Sequence, residues 1–227
     1  MKISEIFHSL QGEGSLLGVP SVFVRTSGCN LRCSWCDTPY TSWRPEGDMR
    51  SMADVLQSVR DYGCSHVVVT GGEPMIVPEM PAFTDALRAE GMHITIETAG
   101  TVDAQVACDL MSISPKLSNS VPHDRDNGAW ADRHDKLRLQ PEVLNNLTSR
   151  YPFQLKFVVT GPEDLPEIDE IVRITNAPAS NVILMPEGTT AQILADRSRW
   201  IVEICKEKQF RFSPRLHIDL WGQKRGV

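Results

Sequence analysis

The stretch Ser27–Thr38, SGCNLRCSWCDT, places three cysteines within eight positions, in the spacing C-x3-C-x2-C. It directly follows SVFVRTS (21–27), a short run rich in β-branched residues that is typical of a β-strand. Loops that follow the carboxyl ends of parallel strands form the ligand sites of α/β proteins. The stretch therefore predicts a thiol-rich binding loop at the end of a strand.

Five further runs have the composition of short strands, and helical patterns alternate with them. The strand-like runs are HVVVT (66–70), HITIET (93–98), LMSIS (110–114), FQLKFVVT (153–160) and NVILMP (181–186). Apolar residues recur at helical spacing over 52–59, behind a Ser51 and Asp54 capping box, and over 80–87, 165–172 and 193–204. This alternation predicts a parallel sheet in a single α/β domain spanning residues 1–227.

Two segments fit this pattern less well. Residues 119–138 are polar and aperiodic, so they form either a long loop or an excursion over the site, and the sequence does not decide between the two. Near the end of the chain, FRFSPRLHIDLW (210–221) alternates apolar and polar residues. That alternation predicts an added C-terminal strand.

Length and charge limit the classes of function. With 227 residues and a formal net charge of −6, the chain is unsuited to gripping nucleic acid over a broad face, although a small anionic substrate remains possible. The N-terminus has no signal-like apolar run, and no stretch approaches the roughly 18 apolar residues of a membrane span. We therefore expect a cytoplasmic protein that binds neither nucleic acid nor membrane.

Motif-like turns follow the predicted strands. They are GGEP (71–74), ETAGT (97–101), SPK (114–116) and MPEG (185–188), in addition to the cysteine loop. The carboxyl ends of parallel strands lie at one edge, whether the sheet is open or closed into a barrel. These turns therefore predict one active site.

The clustered cysteines indicate a metal centre, whereas Cys64, Cys108 and Cys205 are scattered among apolar neighbours and are expected to be buried structural residues. Zinc usually has four protein ligands in a structural site, and no second cysteine pair or nearby histidine is present, so zinc is the weaker interpretation. A [4Fe-4S] cluster binds one thiolate per iron. Three cysteines would leave one iron free for a ligand that is not protein.

CNLRCSWC, with GGEP after the next strand, resembles the radical S-adenosylmethionine enzymes. Together with HSLQGEG (8–14), ETAGT, SPK and RLHIDLWGQKRGV (215–227), it resembles the 7-carboxy-7-deazaguanine synthase family over nearly the whole chain. The resemblance implies a shortened variant of the partial (β/α)6 barrel of the radical SAM type. It also implies a lyase that contracts 6-carboxy-5,6,7,8-tetrahydropterin to 7-carboxy-7-deazaguanine with loss of ammonia, in the biosynthesis of the queuosine precursor.

The resemblance further implies a [4Fe-4S] cluster, S-adenosyl-L-methionine (SAM), Mg2+, a homodimer and a reductant such as flavodoxin. The implied metal ligands are Cys29, Cys33 and Cys36 for the cluster and Thr38 for magnesium. The implied SAM-binding residues are Trp35, Cys36, Asp37, Gly72, Ser114, Pro115, Lys116, Met185, Pro186 and Glu187. The implied substrate-binding residues are Leu10, Gln11, Gly12, Glu13, Arg25, Thr70, Glu97, His217 and Val227, with Arg25 placed to bind a carboxylate bidentately.

Two alternatives remain. A glycyl-radical activase shares the C-x3-C-x2-C spacing and the small size, but it needs a broad face for a protein substrate, whereas QGEG and RLHIDLWGQ favour a small heterocycle. A non-catalytic iron-sulfur or zinc protein belongs to another class. Such a protein has no use for GGEP and would not bind SAM.

Overall fold

Nine strands form one open sheet in the order β3-β1-β2-β4-β5-β6-β7-β8-β9 in a computed structural model that describes residues 1–227. The strands are β1 (Lys2–Leu10), β2 (Pro20–Thr26), β3 (Asp48–Met49), β4 (His66–Gly71), β5 (His93–Thr98), β6 (Leu110–Ile113), β7 (Phe153–Val159), β8 (Val182–Pro186) and β9 (Arg211–Phe212). The helices are α1 (Met52–Asp61), α2 (Met80–Ala89), α3 (Ala131–Arg138), α4 (Pro141–Arg150), α5 (Leu165–Thr175), α6 (Ala191–Lys208) and α7 (Leu216–Trp221).

The sheet is parallel from β2 to β9, and only β1 pairs antiparallel, with β2 on one side and β3 on the other. The edge strands β3 and β9 do not pair with each other, so the sheet is that of a partial barrel rather than a closed one. All six predicted strands and all four predicted helices are present. The α/β fold class is therefore confirmed.

One apolar core lies between the sheet and the helices that cross it. Helix α1 shows how the sequence builds it: Ser51 Oγ accepts a hydrogen bond of 3.1 Å from the backbone N–H of Asp54, which caps the helix, and Val55, Leu56 and Val59 are buried. Each such side chain contributes about 1.5–3 kcal/mol when it is fully buried. Because the strands from β2 to β9 run parallel, the loops that follow them share one edge of the sheet.

The segment 119–138 is an excursion that contains a helix, α3, which the sequence analysis did not predict. Only Ala131 and His134 of this helix are buried. A helix whose inward positions hold an alanine and a histidine has no apolar periodicity, which explains why the pattern did not reveal it. Strand β1 and helix α4 were also not predicted.

The predicted C-terminal strand is correct only for Arg211–Phe212, and the prediction is wrong for the rest of 210–221. Pro214 has no N–H to continue a strand ladder. Beyond it, the backbone N–H of Leu216 donates a 3.0 Å hydrogen bond to the carbonyl of Gly12, and α7 begins. The chain therefore leaves the sheet edge and turns toward the loop after β1.

None of the helices has the length and apolar character that crossing a membrane requires.

Candidate active site

A cavity of about 300 Å3 lies at the carboxyl ends of the parallel strands. The cysteine loop (Ser27–Thr38) and residues of GGEP, ETAGT, SPK and MPEG all line it, together with the loop after β1 and the C-terminal residues. Of the residues assigned by resemblance, all line this cavity except Pro115 and Pro186. Those two prolines lie beside it in the chain, so the structure does not bring them into the site.

Cys29, Cys33 and Cys36 line the cavity as free thiols, whereas Cys64, Cys108 and Cys205 do not. Burial raises the pKa of Cys29 and of Cys33 to about 12, so both thiols are protonated near neutral pH. A metal centre bound here would displace those protons. No three His, Cys, Asp or Glu side chains are grouped closely enough to share a single metal ion. A cubane, which takes each thiolate on a different iron, fits these three thiols better than zinc does.

The GGEP turn packs directly against the cysteine loop. The backbone N–H of Glu73 donates a 2.9 Å hydrogen bond to the carbonyl of Gly28, and a Cβ on Gly72 would lie 2.1 Å from that carbonyl oxygen. Only glycine permits this approach. The fully buried carboxylate of Glu73 accepts hydrogen bonds from Met75 N (3.1 Å), Thr98 Oγ1 (2.8 Å) and Ala99 N (2.8 Å). Burial raises the pKa of Glu73 despite these donors.

Around the cysteine loop, the candidate SAM residues are held by local contacts. Lys116 Nζ donates to both oxygens of Ser114, at 2.8 Å and 2.7 Å, and lies 5.9 Å from the centre of the Trp35 ring. The Trp35 indole N–H donates to the Asn119 carbonyl at 3.1 Å, which fixes the ring. Glu187 is paired with Arg197. These contacts place an aromatic face and an ammonium group beside the thiols.

Facing them, the candidate substrate residues form a hydrogen-bonded set. Gln11 Nε2 donates to Glu97 Oε1 at 3.2 Å, and Gln11 Oε1 accepts from the backbone N–H of Glu13 at 3.3 Å. Lys156 Nζ lies 2.6 Å from Glu13 Oε2 and 3.4 Å from Glu97 Oε1. The lysine side chain is almost fully buried, so one cation holds both carboxylates in place.

Arg215 completes this charged network from the C-terminal segment. Its guanidinium donates to Glu13 Oε1 (3.1 Å), to the Gly188 carbonyl (2.7 Å) and to Asp37. Burial alone would raise the pKa of Glu13, but Lys156 and Arg215 outweigh it and hold the pKa of that carboxyl well below its usual range. Glu13 is therefore an anion that is already paired on two sides.

Lys156 and Arg215 were not among the predicted site residues. The sequence feature that could have pointed to Lys156 is a lysine in the middle of the mostly apolar strand FQLKFVVT, which ends beside the site. For Arg215 it was an arginine two residues before His217, inside a segment already assigned to the family resemblance. Neither signal identifies a partner, because both partners lie more than a hundred residues away.

Arg25 makes a hydrogen bond within the chain through its Nε only. Its Nε donates to Glu5 Oε1 at 2.7 Å, and Tyr40 Oη donates to the same oxygen at 2.8 Å. The two terminal nitrogens of Arg25 make no hydrogen bond within the chain, and the residue lines the cavity. They form a free fork of the kind that pairs with a carboxylate.

His217, Val227 and Thr38 occupy the remaining walls. His217 packs on Gly12, and its Nε2 lies 3.9 Å from Glu13 Oε1. Burial lowers the pKa of His217, which favours the neutral imidazole. Thr38 Oγ1 accepts a 3.4 Å hydrogen bond from Thr41 Oγ1 and lies 3.8 Å from Cys36 Sγ. An oxygen ligand is thus available next to the last cysteine.

Comparison with known proteins agrees with this geometry. A sequence profile of the Radical SAM superfamily matches residues 23–119. The chain is 46% identical over 226 residues to 7-carboxy-7-deazaguanine synthase of Rhodopirellula baltica, covering 99% of this chain and 88% of that protein. It is 44% identical over 233 residues to the enzyme of the same name from Halobacterium salinarum, covering 98% and 91%.

Among solved structures, QueE from Escherichia coli superposes with a TM-score of 0.70 at 27% identity, covering 95% of this chain and 94% of that one. The agreement therefore extends over the cysteine loop, the sheet and the C-terminal segment together. With relatives above 40% identity along nearly its full length, the chain belongs to the 7-carboxy-7-deazaguanine synthase family of radical SAM proteins.

Proposed function

We propose that this protein is a lyase that converts 6-carboxy-5,6,7,8-tetrahydropterin to 7-carboxy-7-deazaguanine with loss of ammonia. The observation that carries the proposal is the meeting, in one cavity, of three free thiols with an arginine whose terminal nitrogens are free and with a partly buried acid–amide set. Relatives that cover nearly the whole chain carry the name of this activity.

Cys29, Cys33 and Cys36 would bind the [4Fe-4S] cluster, and Trp35, Asp37, Gly72, Ser114, Lys116, Met185 and Glu187 line the adjoining space for SAM. Pro115 and Pro186 shape those turns without lining the cavity. When bound, the cluster and SAM supply a 5'-deoxyadenosyl radical. The protein residues then have to position the substrate and exclude water.

The terminal nitrogens of Arg25 would bind the substrate carboxylate, because they are free and the carboxylate geometry matches the guanidinium fork. Gln11, Glu13 and Glu97 would pair with the donor and acceptor edge of the pterin, with backbone contacts from Leu10 and Gly12. Neutral His217 offers either a donor or an acceptor, and Thr70 and Val227 close the pocket. Lys156 and Arg215 keep Glu13 ionised and fixed in position.

Further parts of the proposal rest on the family. Thr38 Oγ1 would be a magnesium ligand, since Mg2+ takes oxygen ligands and retains water and substrate contacts. The active form would be a cytoplasmic homodimer of a single radical SAM domain, reduced by a flavodoxin-type donor. The product would enter queuosine precursor synthesis.

The test is anaerobic reconstitution followed by incubation with dithionite, SAM, Mg2+ and 6-carboxy-5,6,7,8-tetrahydropterin, with mass spectrometry of the products. We expect 7-carboxy-7-deazaguanine, and we expect little of it from Arg25→Ala. A Lys206→Ala variant, altered at an exposed ion pair, serves as the control. Absence of any deazapurine with a fully loaded cluster would overturn the substrate assignment and favour the glycyl-radical activase.

A further inference from the structure

The segment Asn119–Arg138, here called the clamp, supplies hydrogen-bond partners to the backbone of the cysteine loop. The backbone N–H of Ser34 donates to the Ser120 carbonyl at 2.9 Å, and the Ser34 carbonyl accepts from Arg125 Nη1 at 3.0 Å. The backbone N–H of Arg32 donates to His134 Nδ1 at 3.1 Å. The clamp therefore satisfies polar groups on the loop between the first and the last thiol.

Hydrogen bonds to neighbouring segments fix both ends of the clamp. At its start, Asn119 Nδ2 donates to Asp164 Oδ2 at 2.9 Å, and at its end Arg138 Nη1 donates to the Lys116 carbonyl at 3.1 Å. A cation–π contact also joins the clamp to the cysteine loop: the Arg32 guanidinium of the loop lies 4.4 Å from the centre of the Trp130 ring of the clamp. A polar segment with few apolar contacts thus has a defined position.

His134 is the buried member of this set, with 1% of its surface exposed. Ser120 Oγ donates its hydrogen to the Leu117 carbonyl at 2.6 Å, so it accepts from His134 Nε2 at 2.9 Å. Nε2 therefore carries the hydrogen, and Nδ1 is left as an acceptor that points at the Arg32 N–H. The imidazole is neutral and held in one tautomer by its neighbours.

We propose that His134 is a positioning residue for the cluster: its Nδ1 holds the backbone at Arg32 so that Cys29 and Cys33 face the cavity before any metal is present. This inference rests on the proposed function, because it assumes that the three thiols bind a cluster. The loop needs such support, since it contains no helix or strand of its own and the Arg32 N–H has no other partner.

The test compares His134→Asn, which can keep an acceptor near the Nδ1 position, with His134→Leu, which cannot. In anaerobic apoprotein, the alkylation rates of Cys29, Cys33 and Cys36 are measured by mass spectrometry. Loss of this hydrogen bond, which leaves the Arg32 N–H without a partner, predicts roughly tenfold faster alkylation in His134→Leu. After reconstitution, we expect a lower iron content and an altered electron paramagnetic resonance spectrum of the reduced cluster, with both largely restored in His134→Asn.

Ile201→Ala is the control, because Ile201 is fully buried in α6 and is remote in sequence from both loop and clamp. It is expected to lower stability without changing the alkylation rates. Wild-type alkylation and iron content in His134→Leu would overturn the inference, as would equal defects in the Asn and Leu variants at matched stability. A wild-type protein that takes up no cluster would instead count against the proposed function, while the apoprotein alkylation rates still test His134.

Discussion

Arg215 Nε donates a 3.1 Å hydrogen bond to Glu13 Oε1, although 202 positions separate the two residues. Through its other nitrogens the same side chain binds the Gly188 carbonyl and Asp37. One buried guanidinium therefore joins the loop after β1, the loop after β8 and the residue that follows the last clustered cysteine. This side chain therefore connects the residues proposed to bind the substrate with those proposed to bind SAM.

Replacing Arg215 with methionine should lower both stability and catalysis. Glu13 and Asp37 would lose a buried cation, and breaking such a pair costs about 3–5 kcal/mol. Because small displacements at a reacting centre are costly, we expect kcat/KM to fall by about a hundredfold. Urea unfolding of the apoprotein and steady-state kinetics measure the two effects. Arg215→Lys retains the charge but not the three-way contact, so a fully active lysine variant would contradict the connecting role.

The folded protein should become less stable as the pH is lowered, and Glu13 should account for part of that loss. Its folded-state pKa is held below the ordinary value, so the unfolded chain binds more protons than the folded one as pH falls through that range. The stabilisation is complete above about pH 5 and is lost progressively on acidification below the ordinary carboxyl pKa of about 4.3. Urea unfolding of the apoprotein between pH 3 and 7 should show a smaller pH slope in Glu13→Gln.

Glu203→Gln is the matched control, because Glu203 forms only an exposed ion pair with Lys206. Its pH slope should equal that of the wild type. Burial raises the pKa of Glu73, which acts in the opposite direction, but this effect is common to all three proteins. Equal slopes in Glu13→Gln and the wild type would show that the ion pairs do not perturb Glu13.

Gly72→Ala should prevent cluster binding. The added Cβ would lie 2.1 Å from the Gly28 carbonyl oxygen and 2.8 Å from Cys29 Cβ, so the cysteine loop has to move. Gly63→Ala provides the comparison, since its Cβ meets nothing within 4 Å and its positive φ adds only roughly 1–2 kcal/mol of strain. Iron and sulfide analysis after reconstitution should distinguish the two. A fully loaded Gly72→Ala protein would mean that the loop tolerates the shift.

The clustered cysteines should be individually essential to the metal centre. Cys29→Ala, Cys33→Ala and Cys36→Ala should each lose the [4Fe-4S] absorbance, because each removes the thiolate of a different iron. Cys64→Ala, Cys108→Ala and Cys205→Ala should keep it, since those thiols lie outside the cavity. A stable zinc centre in anaerobically purified protein would be the contrary result.

Thr38→Ala should reduce turnover and its dependence on magnesium while the cluster remains intact. The hydroxyl adjoins Cys36 but contributes no thiolate, so iron content should match the wild type. Thr38→Ser retains the oxygen and should retain magnesium stimulation. Titration of Mg2+ against initial rate makes the comparison, and full stimulation in the alanine variant would remove Thr38 from the metal site.

Features whose signals are local could be predicted from the sequence. The three cysteines lie within one short loop, strand composition marked β2 and β4 to β8, and the capping box marked the start of α1. Those signals were sufficient because the thiols, the strand pattern and the cap each depend on residues a few positions apart. The family resemblance added further candidate residues, and nearly all of them line the same cavity.

The partners of the buried polar groups could not be predicted, because they depend on the tertiary structure. Lys156 meets Glu13 across 143 positions, and Arg32 meets His134 across 102. Apolar periodicity records which face of a segment is buried, whereas the partner of a buried charge depends on how distant loops converge at the sheet edge. For the same reason, the alternating C-terminal segment became a helix: Arg215 and the Leu216 N–H find their partners at Gly188, Glu13 and Gly12 rather than along the sheet.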